Sequence, residues 1–437
     1  MTTLTLRACA MLLLLGGLAG CDLFSIDDEG NPNGPALEDV LNNPSIDNIR
    51  ATAAGVEASS RIDIDLYLVD VGVFGREYWR TSASDPRFTS DLLGKSTSIL
   101  DNNTFYLTRP WGARYRTIRN ANILRQLVEL NAGLEGERLS DAEAAYARGY
   151  AKTWQAYQYL LNLNLTFENG IRFIEPGEDT AGPVLGYAES LARIAALLED
   201  ADGDLDGSDN IFGIADVAYF NRALAARVAA YRGNFQEVLT ILSDDFDVDT
   251  INNLSEGASH VFSTGSGDLT NPFFIAPTSG VSDAILAHPS YISDIEEGDS
   301  RQNKVEFRGG TDSFDGLSTQ YGFFVYKSNI DEIPIARNAE LVLLRAEARA
   351  QTGDLAGAIA DLNTIRTAAS LGDYTGEASQ GAVIDEMLRQ RRYELYGEGH
   401  RWVDVRRYDR LGTLPIDREG DDVWDRFPIP ATENVGS

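Results

Sequence analysis

Two segments of this chain repeat one pattern, and that pattern limits the fold more than any other feature. In Leu224–Leu242 a helical stretch ends at Gly233, Asn234-Phe235 follows, and a second helical stretch carries Val238, Leu239 and Leu242. In Leu344–Leu362 the same layout recurs around Gly353, with Asp354-Leu355 and then Ala358, Ile359 and Leu362. Glycine supplies a left-handed helix end, Asn or Asp caps the next helix, and apolar residues at helical spacing fold that helix back antiparallel. Such hairpins are the units of tetratricopeptide-type stacks. Two copies about 120 residues apart predict a mostly α scaffold of degenerate helix pairs with a large insertion between them.

The rest of the chain fits that plan. Apolar residues about one turn apart predict helices over Asn48–Val71, Tyr115–Leu130, Asp141–Leu163, Tyr187–Glu199 and Ala215–Tyr231, and again from Arg337 to about Arg407. Between Ser243 and Ile333 the segment is dense in Gly, Ser, Asn, Asp and Pro. Short runs such as Pro272-Phe273-Phe274-Ile275 and Gly322-Phe323-Phe324-Val325-Tyr326 predict a loop-rich insertion with a few short strands.

The first 35 residues read differently. Arg7 precedes an apolar run, Ala8–Leu15, and Leu18-Ala19-Gly20-Cys21 closes it with small residues directly before a cysteine. That order matches a bacterial lipobox, so residues 1–20 are expected to be an export signal and Cys21 the lipidated new N-terminus. The mature chain then holds no cysteine for a disulfide or a thiolate metal site. Gly30-Asn31-Pro32-Asn33-Gly34-Pro35 reads as a flexible tether, so residues 21–35 form an anchored linker and 36–437 a single folded domain. No later apolar stretch approaches membrane-spanning length.

Charge narrows the function. With 67 acidic against 37 basic residues, the formal charge is −30. A surface this acidic repels phosphate backbones, which excludes nucleic acid as a partner. Only Lys95, Lys152, Lys304 and Lys327 are lysine; the other basic residues are arginine. That bias fits adaptation to a saline medium and equally an acidic extracellular protein from a GC-rich genome.

Motifs for chemistry are missing. His260, His288 and His400 have no Cys or His neighbour at ligand spacing, and no Gly-x-Ser-x-Gly elbow, phosphate loop or dinucleotide fingerprint is present. Asp200-Ala201-Asp202-Gly203-Asp204-Leu205-Asp206-Gly207 begins like a calcium loop, but Gly213 stands where a bidentate carboxylate is needed, so the run is read as a solvated acidic turn between helices. No cofactor or metal is expected. Trp154, with Tyr150 and Tyr157 at helical spacing, is expected in the core. Tyr78, Trp79, Phe105, Tyr106, Trp111, Tyr291 and the Tyr321–Phe324 group lie in or beside Gly/Asn/Pro/Ser-rich segments, where a flat ring can be displayed for a sugar. Tyr78, Trp79 and Trp111 are the candidate ligand-binding residues on that ground.

The C-terminal third carries a resemblance. Ile335-Ala336-Arg337-Asn338-Ala339-Glu340-Leu341, then Leu344-Arg345-Ala346-Glu347-Ala348, Asp361-Leu362-Asn363-x-Ile365-Arg366, Arg391-Arg392-x-Glu394-Leu395-x-x-Glu398-Gly399-x-Arg401-x-x-Asp404 and Pro428-Ile429-Pro430 resemble, in order and spacing, the SusD/RagB family of outer-membrane nutrient-binding lipoproteins. Trp111-x-x-x-Tyr115-x-x-Ile118-x-x-Ala121-Asn122 and Glu143-Ala144-x-x-x-x-Arg148-Gly149-Tyr150 resemble its early helices. The resemblance implies a tetratricopeptide-like scaffold, a glycan or other nutrient as ligand, a SusC-like TonB-dependent transporter as partner, and an outer-membrane position facing outward. It implies no catalysis. Arg337, Glu340, Glu398, Arg401 and Asp404 are carried over as framework: on a helix Glu394 and Glu398 share a face, and Arg401 and Asp404 follow one turn apart. A tetratricopeptide-type adaptor for envelope assembly, and a surface glycan hydrolase using an unseen carboxylate pair, stay open as alternatives.

Overall fold

The computed structural model describes residues 37–178, 180–213, 217–244, 253–276 and 278–434. The export signal, Cys21 and the tether expected at residues 1–35 lie outside the described residues. The chain divides into two units, Met1–Pro44 and Ser45–Ser437. The described part of the first contains one short helix, α1 (Leu37–Leu41).

The second unit begins α2 (Ile46–Ser60), α3 (Ile64–Phe74), β1 (Tyr78–Ser82), α4 (Arg87–Ser90), α5 (Phe105–Ala132), α6 (Asp141–Thr166), β2 (Ile171–Arg172) and β3 (Val184–Leu185). It continues through α7 (Tyr187–Leu205), α8 (Val217–Tyr231), α9 (Phe235–Asp244), β4 (Gly257–His260), β5 (Asp283–Ala287), α10 (Ser290–Asp294), β6 (Val305–Phe314) and β7 (Leu317–Phe323). It closes with β8 (Ile333–Arg337), α11 (Asn338–Thr352), α12 (Leu355–Ala368), α13 (Gln380–Glu394) and α14 (Arg401–Arg407). The fold is mostly α, as the periodicity predicts.

The two predicted hairpins are α8–α9 and α11–α12. Gly233 and Gly353 stand at φ 74° and 94°, the left-handed region in which a Cβ is strained. The Asp354 carboxylate accepts the Gly357 N–H at 2.9 Å, satisfying one of the free donors that open α12. Distant in sequence, the hairpins share one core: Ala223, Val238 and Leu242 lie in the same buried cluster as Leu341, Leu344, Ala358 and Leu362. Each fully buried Leu or Val there contributes roughly 1.5–3 kcal/mol. The chain between the copies is therefore looped out, and three of its strands join β1, from the N-terminal part, in a four-stranded antiparallel sheet in the order β1-β5-β7-β6. Strand β4 pairs with β8, and β2 with β3, in separate two-stranded ribbons.

Three expectations need correction. The helix expected over Asn48–Val71 is two helices, broken at Asp63, which adopts φ 54°. The break lets α3 turn inward, and all its residues except Asp65 are buried. The acidic run is not a turn: α7 continues to Leu205, and the carboxylates staple helices together. Asp204 pairs with Arg148 at 3.1 Å and Lys152 at 2.6 Å on α6, and Asp202 with Arg222 at 3.2 Å on α8. Finally, Glu398 lies beyond the end of α13, in a turn, yet still meets Glu394 on a common partner. Arg337 reaches Glu394 at 2.9 Å and Glu398 at 2.8 Å.

The other framework charges are also bonded, Glu340 and Asp404 deep in the core and Arg401 partly buried. Glu340 receives the Arg227 guanidinium through two bonds, 2.6 and 2.5 Å. Burial pushes that carboxyl up, but Arg227 and the Arg391 charge outweigh it and leave it at about 2. Asp404 accepts Arg391 at 2.7 Å. Arg401 does not bridge to Asp404; its Nε donates to the Gly75 carbonyl at 2.7 Å, tying α14 to the end of α3.

Candidate ligand-binding surface

The three aromatic candidates are not displayed. Tyr78, Trp79 and Trp111 are 0%, 3% and 3% exposed. The Tyr78 hydroxyl donates to the Leu68 carbonyl at 2.7 Å, and its ring packs among Phe273, Phe323 and Tyr396. Trp79 donates its indole N–H to Asp417 at 2.9 Å, and Trp111 to Glu433 at 2.9 Å. Polar, glycine-rich neighbours pointed to open loops. Instead Tyr78 and Trp79 begin β1, a strand covered on both faces, and Trp111 lies inside α5. Tyr106 and Tyr291 are buried as well. The three histidines serve the frame: His260 meets Ser60 and Tyr157, His288 meets Ser290 and Asp417 at 2.7 Å each, and burial drives His400 down to about 3.

The ring that does face solvent is one that the spacing argument passed over. Among the described residues Phe307 is the one aromatic side chain classed as exposed, at 57%. It stands on β6 directly opposite Tyr321 of β7, ring centroids 6.0 Å apart, and Tyr321 is half-buried. The next pair on the same face of the hairpin, Val305 and Phe323, is buried. The aromatic pair is thus the outer end of a core stripe that runs out into water. Sugars present apolar C–H faces, and a rigid ring pair of this kind supplies a stacking surface at little conformational cost.

Local chemistry makes the hairpin stiff. Asp315 and Gly316 both adopt positive φ, 51° and 81°, the two-residue turn that matches strand twist. Asp315 then ties the tip to the body: its side chain takes Arg418 at 2.6 Å, Thr89 at 3.1 Å and the Lys95 ammonium. Burial raises the Asp315 carboxyl, while Lys95, Thr89 and Arg418 outweigh it and hold it below the usual carboxylate range. At the root, Lys304 donates to the Tyr393 and Glu394 carbonyls at 3.0 and 2.5 Å. Next to Phe307, Arg308 donates to the Ser279 carbonyl at 2.6 Å and pairs with Asp312. β-pairing shifts register between Phe307 and Asp312, where Gly309 adopts φ 82°.

Comparisons with known proteins agree with this architecture. Residues 313–430 match the SusD_RagB family model, the SusD family. The fold is similar to that of surface glycan-binding protein A from Bacteroides thetaiotaomicron in complex with laminarihexaose, at a TM-score of 0.71 and 13% identity, over 89% of this chain and 97% of that one. A SusD superfamily protein from Bacteroides vulgatus gives a TM-score of 0.67 at 17% identity, over 90% and 97%. A SusD-like carbohydrate binding protein from the same species gives 0.62 at 17%, over 83% of each chain. No curated protein matches the chain. At these identities the structural likeness is one of fold.

Proposed function

Starting from a SusD-family segment on a SusD-superfamily fold, we propose that this protein is a non-enzymatic surface lipoprotein that captures a glycan and hands it to a SusC-like TonB-dependent transporter. Lipid at Cys21 anchors it to the outer membrane, facing outward. The observation that carries the reading is the exposed Phe307 ring, paired with Tyr321 on a hairpin pinned at tip and root. An exposed ring backed by a second, half-buried ring offers the C–H face of a sugar a surface to stack on. A structural neighbour with laminarihexaose bound supports glycan as the class of ligand. The buried Trp79, on β1 of the same sheet, then acts as part of the support of that surface.

Isothermal titration with laminarihexaose and a panel of other neutral oligosaccharides tests the reading. At least one should bind, and Phe307→Ala should weaken it about tenfold, the equivalent of roughly 1.4 kcal/mol of ring contact. Because Phe307 is solvent-facing, the circular dichroism spectrum should stay unchanged. Binding indifferent to Phe307→Ala would remove the hairpin from the site.

A further inference from the structure

A cleft of about 300 Å³ lies apart from the hairpin residues, where helix ends of the scaffold meet. Five rings line it: Phe167 just after α6, Tyr187 opening α7, Tyr231 ending α8, Phe235 opening α9 and Tyr408 just after α14. Its polar lining includes Arg406 and Arg407.

The two arginines differ. Arg407 is neutralised, pairing with Glu347 and with Asp404 at 3.4 Å. Arg406 is 7% exposed, and among the described residues its guanidinium bonds to backbone carbonyls and to no carboxylate. Its terminal nitrogens donate to the backbone carbonyls of Asp425 and Asn164, at 2.8 and 3.0 Å, and its guanidinium lies 4.2 Å from the Phe167 ring centre and 4.3 Å from that of Trp402. Its Nε is buried with no hydrogen-bond partner. The Tyr187 hydroxyl is in the same condition. Among the described residues no carboxylate bonds to this lining cation of the cleft, and two buried hydrogen-bonding groups there are unmet. An unmet buried donor is costly unless a ligand or water completes it.

We propose that this cleft is a second binding site, which takes the carboxylate of an acidic sugar residue, a uronate, with Arg406 and Tyr187 as its donors and the aromatic lining against the pyranose ring. A carboxylate supplies acceptor oxygens for both groups and the missing negative charge, and a charge-assisted bond to Arg is stronger than a neutral one. The net charge of −30 does not forbid this. At physiological ionic strength fields are screened beyond about 8 Å, so the local Arg406 charge decides. The proposal takes its ligand class from the glycan-capture reading, but its residues are separate from the hairpin.

The test is titration at constant ionic strength with glucuronic acid and trigalacturonic acid, against glucose and a neutral trisaccharide, with sodium acetate as a bare carboxylate. The site predicts that the uronates bind, that their neutral counterparts bind at least tenfold more weakly, and that Tyr187→Phe, which removes only the hydroxyl, weakens uronate binding five- to tenfold. Phe307→Ala should leave glucuronic acid binding unchanged. Phe235→Ala, which strips a ring from the wall, gives a second handle should Tyr187→Phe disturb folding, and it should likewise weaken the uronates. Neutral-sugar binding that is sensitive to Phe307→Ala, with no uronate binding, would overturn the cleft proposal while glycan capture stands. Acetate binding as tightly as glucuronic acid would overturn the sugar assignment and leave a simple anion site.

Discussion

Glu77 offers a test of how this interior treats charge. The side chain is 3% exposed; Oε1 accepts only a long bond from the Gly397 N–H, 3.4 Å, and Oε2 has no partner. Burial pushes the carboxyl up from 4.5 to about 8, with Arg401 and the Gly397 N–H pulling partly against it. A folded-state pKa above the unfolded one means that the folded state holds the proton more tightly. That contribution to stability is complete below about pH 4.5 and is lost as pH rises to about 8, at about 1.4 kcal/mol per pH unit. Between pH 5 and pH 7.5 the wild type should therefore lose up to about 3 kcal/mol from this group. Glu77→Gln keeps the shape and an acceptor oxygen but never ionises. Urea unfolding at both pH values, in the same salt, should show the variant close to wild type at pH 5 and more stable at pH 7.5 by about that amount. Asp70, whose two buried oxygens also lack partners, titrates in both proteins and cancels from the difference. An equal effect of Glu77→Gln at the two pH values would refute the reasoning.

Glu340→Ala strands the buried Arg227 charge and should cost about 3–5 kcal/mol in urea unfolding; a loss below 1 kcal/mol, by the ~0–1 kcal/mol scale of exposed pairs, would mean that the pair is not a structural pin. Gly353→Ala forces a Cβ into φ 94° with no other atom near it, so strain alone should cost about 1 kcal/mol; a neutral result in thermal melts would show that the hairpin relaxes. Cys21→Ala should move the protein from the membrane fraction to the soluble one without changing its fold, and retention in the membrane would remove the lipid anchor from the account.

The helix hairpins were readable because Gly233-Asn234 and Gly353-Asp354 state their conformation chemically, a left-handed stop followed by a cap. The break at Asp63 was not, because a non-glycine residue takes the left-handed turn there under tertiary pressure from the buried α3. The acidic run was misread because composition shows charge but not its partners, and Arg148, Lys152 and Arg222 come from two other helices. Aromatic placement failed at β1 because a strand covered on both faces shows no polar alternation for a reader to use. Tyr321 was singled out, but its partner Phe307 was not: counting back from the Asp315-Gly316 turn pairs other residues, since the register shifts between Phe307 and Asp312. The cleft at Arg406 had no sequence signal, as its lining comes from five separate segments.

The central claim is capture on behalf of a transporter, and the most direct measurement is a detergent pull-down of the tagged protein from its native membrane, with mass spectrometry of what accompanies it. The account predicts a TonB-dependent β-barrel in near-equal amount. Recovery of a different envelope complex, with no such barrel, would contradict it.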